Sequence, residues 1–220
     1  MDIAKQVLLA ILMLILLSVL IPVRAEEAVS PMIVSETADS TEYPALEADI
    51  PVITSEGKSN VKIAGVKSKN KLVRYTIPET LLRADENFLA LMVEAEKYIG
   101  YPYVYGGSKP STGFDCSGFV CWVFRQSGVY DTGRLGAKGL YSLCTDVSRD
   151  EARPGDLVFF TKTMGADVKG ITHVGIYVGN NMMLHAGDPV GFADLQSDKW
   201  AKKIYAFGRL PVQQGVQADE

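Results

Sequence analysis

Three side chains in this sequence have the types and spacing that nucleophilic chemistry requires: Cys116, His173 and His185. Cys116 stands in "GFDCSGFVCWVF" (113–124), where the stripe Phe119, Val120, Val123 and Phe124 predicts a helix over 116–127 that stops before Gly128. The cysteine opens that helix. A thiol attacks as thiolate, and a helix N-terminus with a nearby imidazole lowers its pKa from about 8.5. The competing reading is a small apolar side chain packed in a core.

The chain has two histidines, and both fall in "ITHVGIYVGNNMMLHAG" (171–187), whose alternation and Gly-Asn-Asn turn predict a β-hairpin. Alternation puts Val174, Ile176 and Val178 on one face and His173, Gly175 and Tyr177 on the other. A three-residue loop of Gly179, Asn180 and Asn181 sets His185 opposite Gly175 and His173 opposite Gly187. The imidazoles are then diagonal neighbours on one face, roughly 7–8 Å apart at the backbone. A two-residue loop puts them on opposite faces. In the first arrangement His173 can take the thiol proton while His185 fixes its tautomer and orientation.

Around Cys116 the assignments divide. Asp115 is either the helix N-cap or a substrate contact, and its carboxylate opposes the lowering of the thiol pKa. Ser117 serves the helix start and a cleft wall, and Gly118 lets a strand or substrate approach closely. The other cysteines, Cys121 and Cys144, have no CxxC spacing, so neither a disulfide framework nor a zinc site is indicated. A Cys121–Cys144 bridge is the pairing that leaves Cys116 free. Otherwise both read as packing, like Trp122.

The elements that must position these groups follow from periodicity. Phe88, Met92, Ala95 and Ile99 mark one face of a helix that Gly100 ends. "YPYVYGG" reads as a loop, "GAKGLYSLC" as a short helix, and "RPGDLVFF" as a turn followed by a strand. "VGFADL" and "KIYAFGRL" supply later strands. Helices followed by antiparallel strands define an α+β domain over 79–212, with 213–220 as a flexible tail.

Ahead of it, Lys5 precedes an apolar run from Val7 to Val23 that ends in "VRA", giving residues 1–25 the form of a signal peptide or an N-terminal membrane anchor. Either form sends the remainder outside the cytoplasmic membrane. Residues 26–78 read as a low-complexity linker, mostly disordered, with a short hairpin within 61–77. Its basic stretch 61–74 is either solvated linker or a contact for anionic lipid or wall polymer. With 22 basic and 26 acidic residues the net charge is −4, which gives no basic excess for nucleic acid.

"YVYGGSKPSTGFDCSGFVCWVF", "RPGDLVFF" and "THVGIYVGNNMMLHAG" together resemble the NlpC-type cell-wall cysteine peptidases, over about residues 85–211. The resemblance implies a papain-like fold and hydrolysis of peptidoglycan stem peptides without metal or organic cofactor. By motif position it makes Cys116 the nucleophile, His173 the base and His185 the orienting residue. It also gives Tyr103 a part in holding the oxyanion and positioning the thiol, and it favours substrate contact for Asp115. The bond it implies is that between D-γ-glutamate and the diamino acid. The alternatives are an amidase cutting between muramic acid and L-alanine, or a catalytically idle wall-binding module. The stretch "TKTMGADVKG" before His173 reads as a local insertion bordering the groove.

Overall fold

The computed structural model describes residues 50–211, except Ala166. The expectations for the signal or anchor segment, the first part of the linker and the C-terminal tail lie outside these residues. Among the described residues no helix is long and apolar enough to cross a membrane.

The described chain opens with four two-residue strands, β1 (Thr54–Ser55), β2 (Lys62–Ile63), β3 (Val66–Lys67) and β4 (Tyr75–Thr76). Strand β1 pairs with β4, and β2 with β3, all antiparallel. The hairpin expected within 61–77 is therefore present, but the surrounding stretch 50–78 is not the disordered linker that its composition suggests. The reason is burial. Ile53 and Ile77, at the two ends of this strap, are fully enclosed in the main core, and Ile77 N–H donates to the Ile53 carbonyl at 3.0 Å. Burying two isoleucines stabilises the ordered strap by roughly 1.5–3 kcal/mol each.

Helices α1 (Glu79–Arg83) and α2 (Glu86–Glu96) follow, the second capped by the Asp85 carboxylate, which accepts from Phe88 N–H. Its face buries Phe88, Leu91, Met92 and Ala95, and the chain turns away at Gly100 with φ +92°. A small pair, β5 (Ser108–Lys109) with β6 (Gly113–Phe114), leads into α3 (Cys116–Gln126), and α4 (Ala137–Leu143) comes next. All four residues of the expected stripe on α3 are buried.

The six-stranded antiparallel sheet contains β7 (Thr145–Val147), β8 (Leu157–Thr161), β9 (Ile171–Gly179), β10 (Met182–Ala186), β11 (Val190–Asp194) and β12 (Ile204–Arg209). Its order is β11-β10-β9-β8-β12-β7. Strand β7 has no counterpart in the sequence reading. One sheet face, with Phe159, Val174, Ile176, Val178 and Leu184, joins the helices in the main core. The opposite face gathers Val158, Phe160, Met183, Leu195, Trp200 and Phe207. Buried Asp156, just after the Pro-Gly turn, receives Arg209 Nε at 2.8 Å and Nη2 at 2.9 Å, tying the start of β8 to the end of β12.

The hairpin that carries both histidines closes differently from the expectation and yet reaches the same register. Its closing pair is Gly179–Met182 around the two-residue turn Asn180–Asn181, both with φ near +50° (51° and 56°). A register shift between Met182 and Met183 then restores Met183 opposite Tyr177 and Leu184 opposite Ile176. A plain two-residue loop would separate the imidazoles, and the bulge cancels that offset.

Candidate active site

Cys116 is the first residue of α3, and the helix begins there because Asp115, in extended backbone, accepts from Gly118 N–H at 2.6 Å. Gly118 must be glycine. A Cβ there would lie 2.1 Å from the Gly107 carbonyl oxygen, so the 107–108 backbone can lie against the first helical turn. Of the two approaches expected at Gly118, it is the strand that makes this one. Asp115 N–H in turn donates to Gly107 O at 2.9 Å.

The backbone N–H groups of Val174, the residue after His173, and of Ser117 and Cys116 itself lie near enough to the thiol to favour its charged form. These contacts place it at the point where the N-terminus of α3 meets β9. The expected net lowering of the thiol pKa is not found. Burial, followed by the Asp115 carboxylate, pushes it up to about 11, and the three N–H groups offset this only in part. All three cysteines are free, so there is no Cys121–Cys144 bridge. Cys121 is buried and takes Leu135 N–H at 3.5 Å, in keeping with a packing role. Trp122 donates to the Tyr98 hydroxyl at 2.8 Å.

His173 and His185 face each other, with Nε2 of the first 2.8 Å from Nδ1 of the second. That bond leaves Nδ1 of His173 as its unengaged ring nitrogen. Two glycines make room for the pair. A Cβ on Gly175 would lie 3.1 Å from His185 Cβ and 2.8 Å from Met183 Sδ, and one on Gly187 would lie 2.8 Å from His185 Cε1. The Trp200 ring stacks on His173 at 5.2 Å and 25°, and Phe160 packs against both rings, 5.8 Å from His173 and 4.8 Å from Trp200. Burial in this aromatic setting, and then the Lys199 ammonium, brings His173 down to about 3; burial, followed by His173 and then Lys199, holds His185 well below its ordinary value. The pair is neutral at neutral pH.

Tyr103 is half-buried and forms an isolated bridge with Phe114, two residues before Cys116. Burial, with added repulsion from Cys116 and Asp115, raises its hydroxyl to about 12, so it remains a donor throughout the working range. Ser117 donates to Asp115 Oδ1 at 3.1 Å. The other Asp115 oxygen is held by Arg134 Nη2 at 2.8 Å, and Arg134 Nη1 reaches Ser117 Oγ at 3.1 Å. Between the two readings of Asp115, the geometry satisfies the N-cap. The structure therefore brings Tyr103, Asp115, Ser117 and Cys116 together on the helix side, and His173 with His185 on the sheet side. Sequence reasoning missed Arg134 and Trp200. Both lie outside the recognisable motifs, and no local periodicity marks either.

The structure thus holds a thiol at a helix entrance beside the hairpin that carries a hydrogen-bonded imidazole pair, on an α+β scaffold. A family model described as the NlpC/P60 family matches residues 100–209, half of the sequence, and the chain belongs to that family. A bifunctional muramidase/DL-endopeptidase, CwlT, of Bacillus subtilis is 46% identical over 121 residues, which make up 54% of this chain and 36% of that protein. The probable endopeptidase p60 of Listeria seeligeri is 44% identical over 121 residues, 54% of this chain and 22% of the relative. Gamma-DL-glutamyl hydrolase of B. subtilis is 41% identical over 120 residues, 53% of this chain and 28% of that protein. The matches thus span about a third or less of the relatives' own length. Among solved structures, an NLP/P60-family protein described as similar to lipoprotein, from Staphylococcus aureus, has a TM-score of 0.54 at 42% identity, covering 57% of this chain and 42% of its own.

Proposed function

We propose that this chain is an extracytoplasmic peptidoglycan hydrolase that cleaves stem peptides, as a cysteine endopeptidase acting between D-γ-glutamate and the diamino acid. The observation that carries this reading is the His173–His185 bond, which engages Nε2 of His173 and leaves Nδ1 for a thiol proton. The names of the relatives, DL-endopeptidase and gamma-DL-glutamyl hydrolase among them, support the bond and its stereochemistry. The apolar run 7–23 supports export or anchorage.

In this mechanism the empty site rests as thiol and neutral imidazole. Proton transfer from Cys116 to His173 accompanies attack on the scissile carbonyl, and His185 accepts from the His173 Nε2–H as the imidazolium forms. The oxyanion is held by the Cys116 backbone N–H and the Tyr103 hydroxyl. His173 then protonates the leaving amine, and water releases the acyl-enzyme. Arg134 pairs with Asp115 and offsets part of the carboxylate's opposition to charge on the sulfur. Mass spectrometry of soluble muropeptides after digestion tests the reading. Products ending in D-γ-glutamate support it, and products lacking the whole peptide support an amidase instead. No products at all would favour the idle wall-binding module.

A further inference from the structure

The strap ahead of α1 takes no part in the reaction proposed above, yet it has a charge pattern of its own. Residues 57–78 carry six cations, Lys58, Lys62, Lys67, Lys69, Lys71 and Arg74, and no acidic residue. The rest of the chain has 16 basic against 26 acidic residues. Lys62 pairs with Lys67 in β2–β3, and Lys58 with Lys71 in an isolated antiparallel bridge. The two pairs share one register, and Leu72 N–H reaches Gly57 O at 2.8 Å in step with it. Residues 57–72 therefore form one two-stranded ribbon, turning at Ala64 and Gly65, which have φ 47° and 79°. Alternation along it puts Lys58, Asn60 and Lys62 on the same face as Lys67, Lys69 and Lys71, and all six are exposed. The other face packs inward. Ser59 Oγ donates to Gly100 O, and a Cβ on Gly113 would lie 3.5 Å from Ile63 Cγ2. One on Gly191 would lie 2.7 Å from Leu72 Cδ2.

Like charges directly opposite one another destabilise a strand pair. Both Lys–Lys pairs stand on the exposed face, with Lys69 between them, so the ribbon holds five ammonium groups together against their own repulsion. Arg74 pairs with Glu56 at 3.1 Å, but among the described residues none of the five lysines forms an ion pair. A linear polyanion laid along the ribbon relieves that repulsion and gains from the counterions it releases. The six positions of the face include no apolar side chain to insert beneath lipid headgroups, which favours a polymer over a bilayer. We propose that this lysine face docks an anionic wall polymer whose repeating charge is a phosphodiester. The choice of a wall polymer over another polyanion rests on the extracytoplasmic reading. The ribbon lies on the segment that runs from Gly100 through Tyr103 to Gly113 and leads into Cys116, so docking there holds the hydrolase at the wall it cuts.

The test is calorimetric titration of the full chain with poly(glycerol phosphate) at about 50 and about 200 mM salt. The polymer binds, and its affinity falls about tenfold or more between the two salt concentrations. The Lys62→Gln/Lys67→Gln/Lys69→Gln variant binds about tenfold or more weakly than the wild type at the lower salt. Without polymer it melts no lower than the wild type, because a like-charge pair has been removed. Lys62→Arg/Lys67→Arg/Lys69→Arg keeps the charge and binds as the wild type does. No binding by the wild type, an affinity that ignores salt, or full binding by the glutamine variant would overturn the proposal. So would a difference between wild type and glutamine variant seen only on phosphatidylglycerol vesicles, which would make the face a membrane contact. Cleavage of a soluble stem peptide by the same samples separates this claim from the peptidase reading. Cleavage without polymer binding removes the docking face and keeps the peptidase; polymer binding without cleavage does the reverse.

Discussion

The buried imidazole pair makes a quantitative demand on stability at acid pH. His173 has its pKa brought from an ordinary 6.5 to about 3 in the folded protein, chiefly by burial. The unfolded chain then binds a proton that the folded chain refuses, so stability falls as pH drops from about 6.5 toward 3 and levels off below it. Each unit of pH inside that window costs about 1.4 kcal/mol. Between about pH 7.5 and 4.5 the loss from this one residue is therefore about 2.7 kcal/mol, a large share of a domain stability of roughly 5–15 kcal/mol. His173→Gln removes the titrating group. Urea unfolding of both proteins at the two pH values, extrapolated to water, cancels the carboxylates they share. The wild type loses about 2.7 kcal/mol more than the variant. Parallel losses, within about 0.5 kcal/mol, would refute the claim that His173 is buried and neutral.

Four further outcomes follow from particular contacts. With its pKa near 11, the Cys116 thiol gives no thiolate ultraviolet absorbance at neutral pH, and the wild type minus Cys116→Ala difference rises only on the alkaline side; a plateau at neutral pH would contradict this. His185→Ala lowers kcat/KM about 100-fold, while His185→Asn, which keeps an acceptor for His173, stays within about tenfold of the wild type. Gly118→Ala drives a Cβ into the Gly107 carbonyl and destabilises the fold by about 3 kcal/mol or more, read from the urea midpoint. Cutting the chain to 79–220 removes Ile53 and Ile77 from the core, and the fragment melts well below one beginning at residue 48, by a deficit of roughly 3–6 kcal/mol.

How far the sequence carried depends on whether a feature is local. Helices α2 and α3 and the strands around the histidines were legible because their apolar residues repeat with the period of the element that buries them. The facing of His173 and His185 was legible for the same reason, since Tyr177, Gly175 and His173 alternate against Met183 and His185. The turn was not, because a bulge at Met182–Met183 compensates for a loop one residue shorter. The strap was misread because its two anchoring isoleucines stand 24 residues apart among polar residues, and their burial depends on a surface supplied by the rest of the domain. Short strands there are held by tertiary contacts that leave no period. Arg134, 19 residues past Asp115, and Trp200, beyond the last recognisable motif, reach the site through folding alone. The thiol pKa was misjudged for another physical reason. Helix position favours thiolate, but desolvation and the adjacent Asp115 outweigh it.

The most direct test of the central claim is digestion of a synthetic disaccharide–tetrapeptide by the wild type, Cys116→Ala and His173→Ala, with products read by mass. The account predicts that the wild type alone splits the peptide after D-γ-glutamate, and that both variants leave it whole. Cleavage by Cys116→Ala at the wild-type rate, or an intact substrate with a folded wild type under reducing conditions, would contradict it.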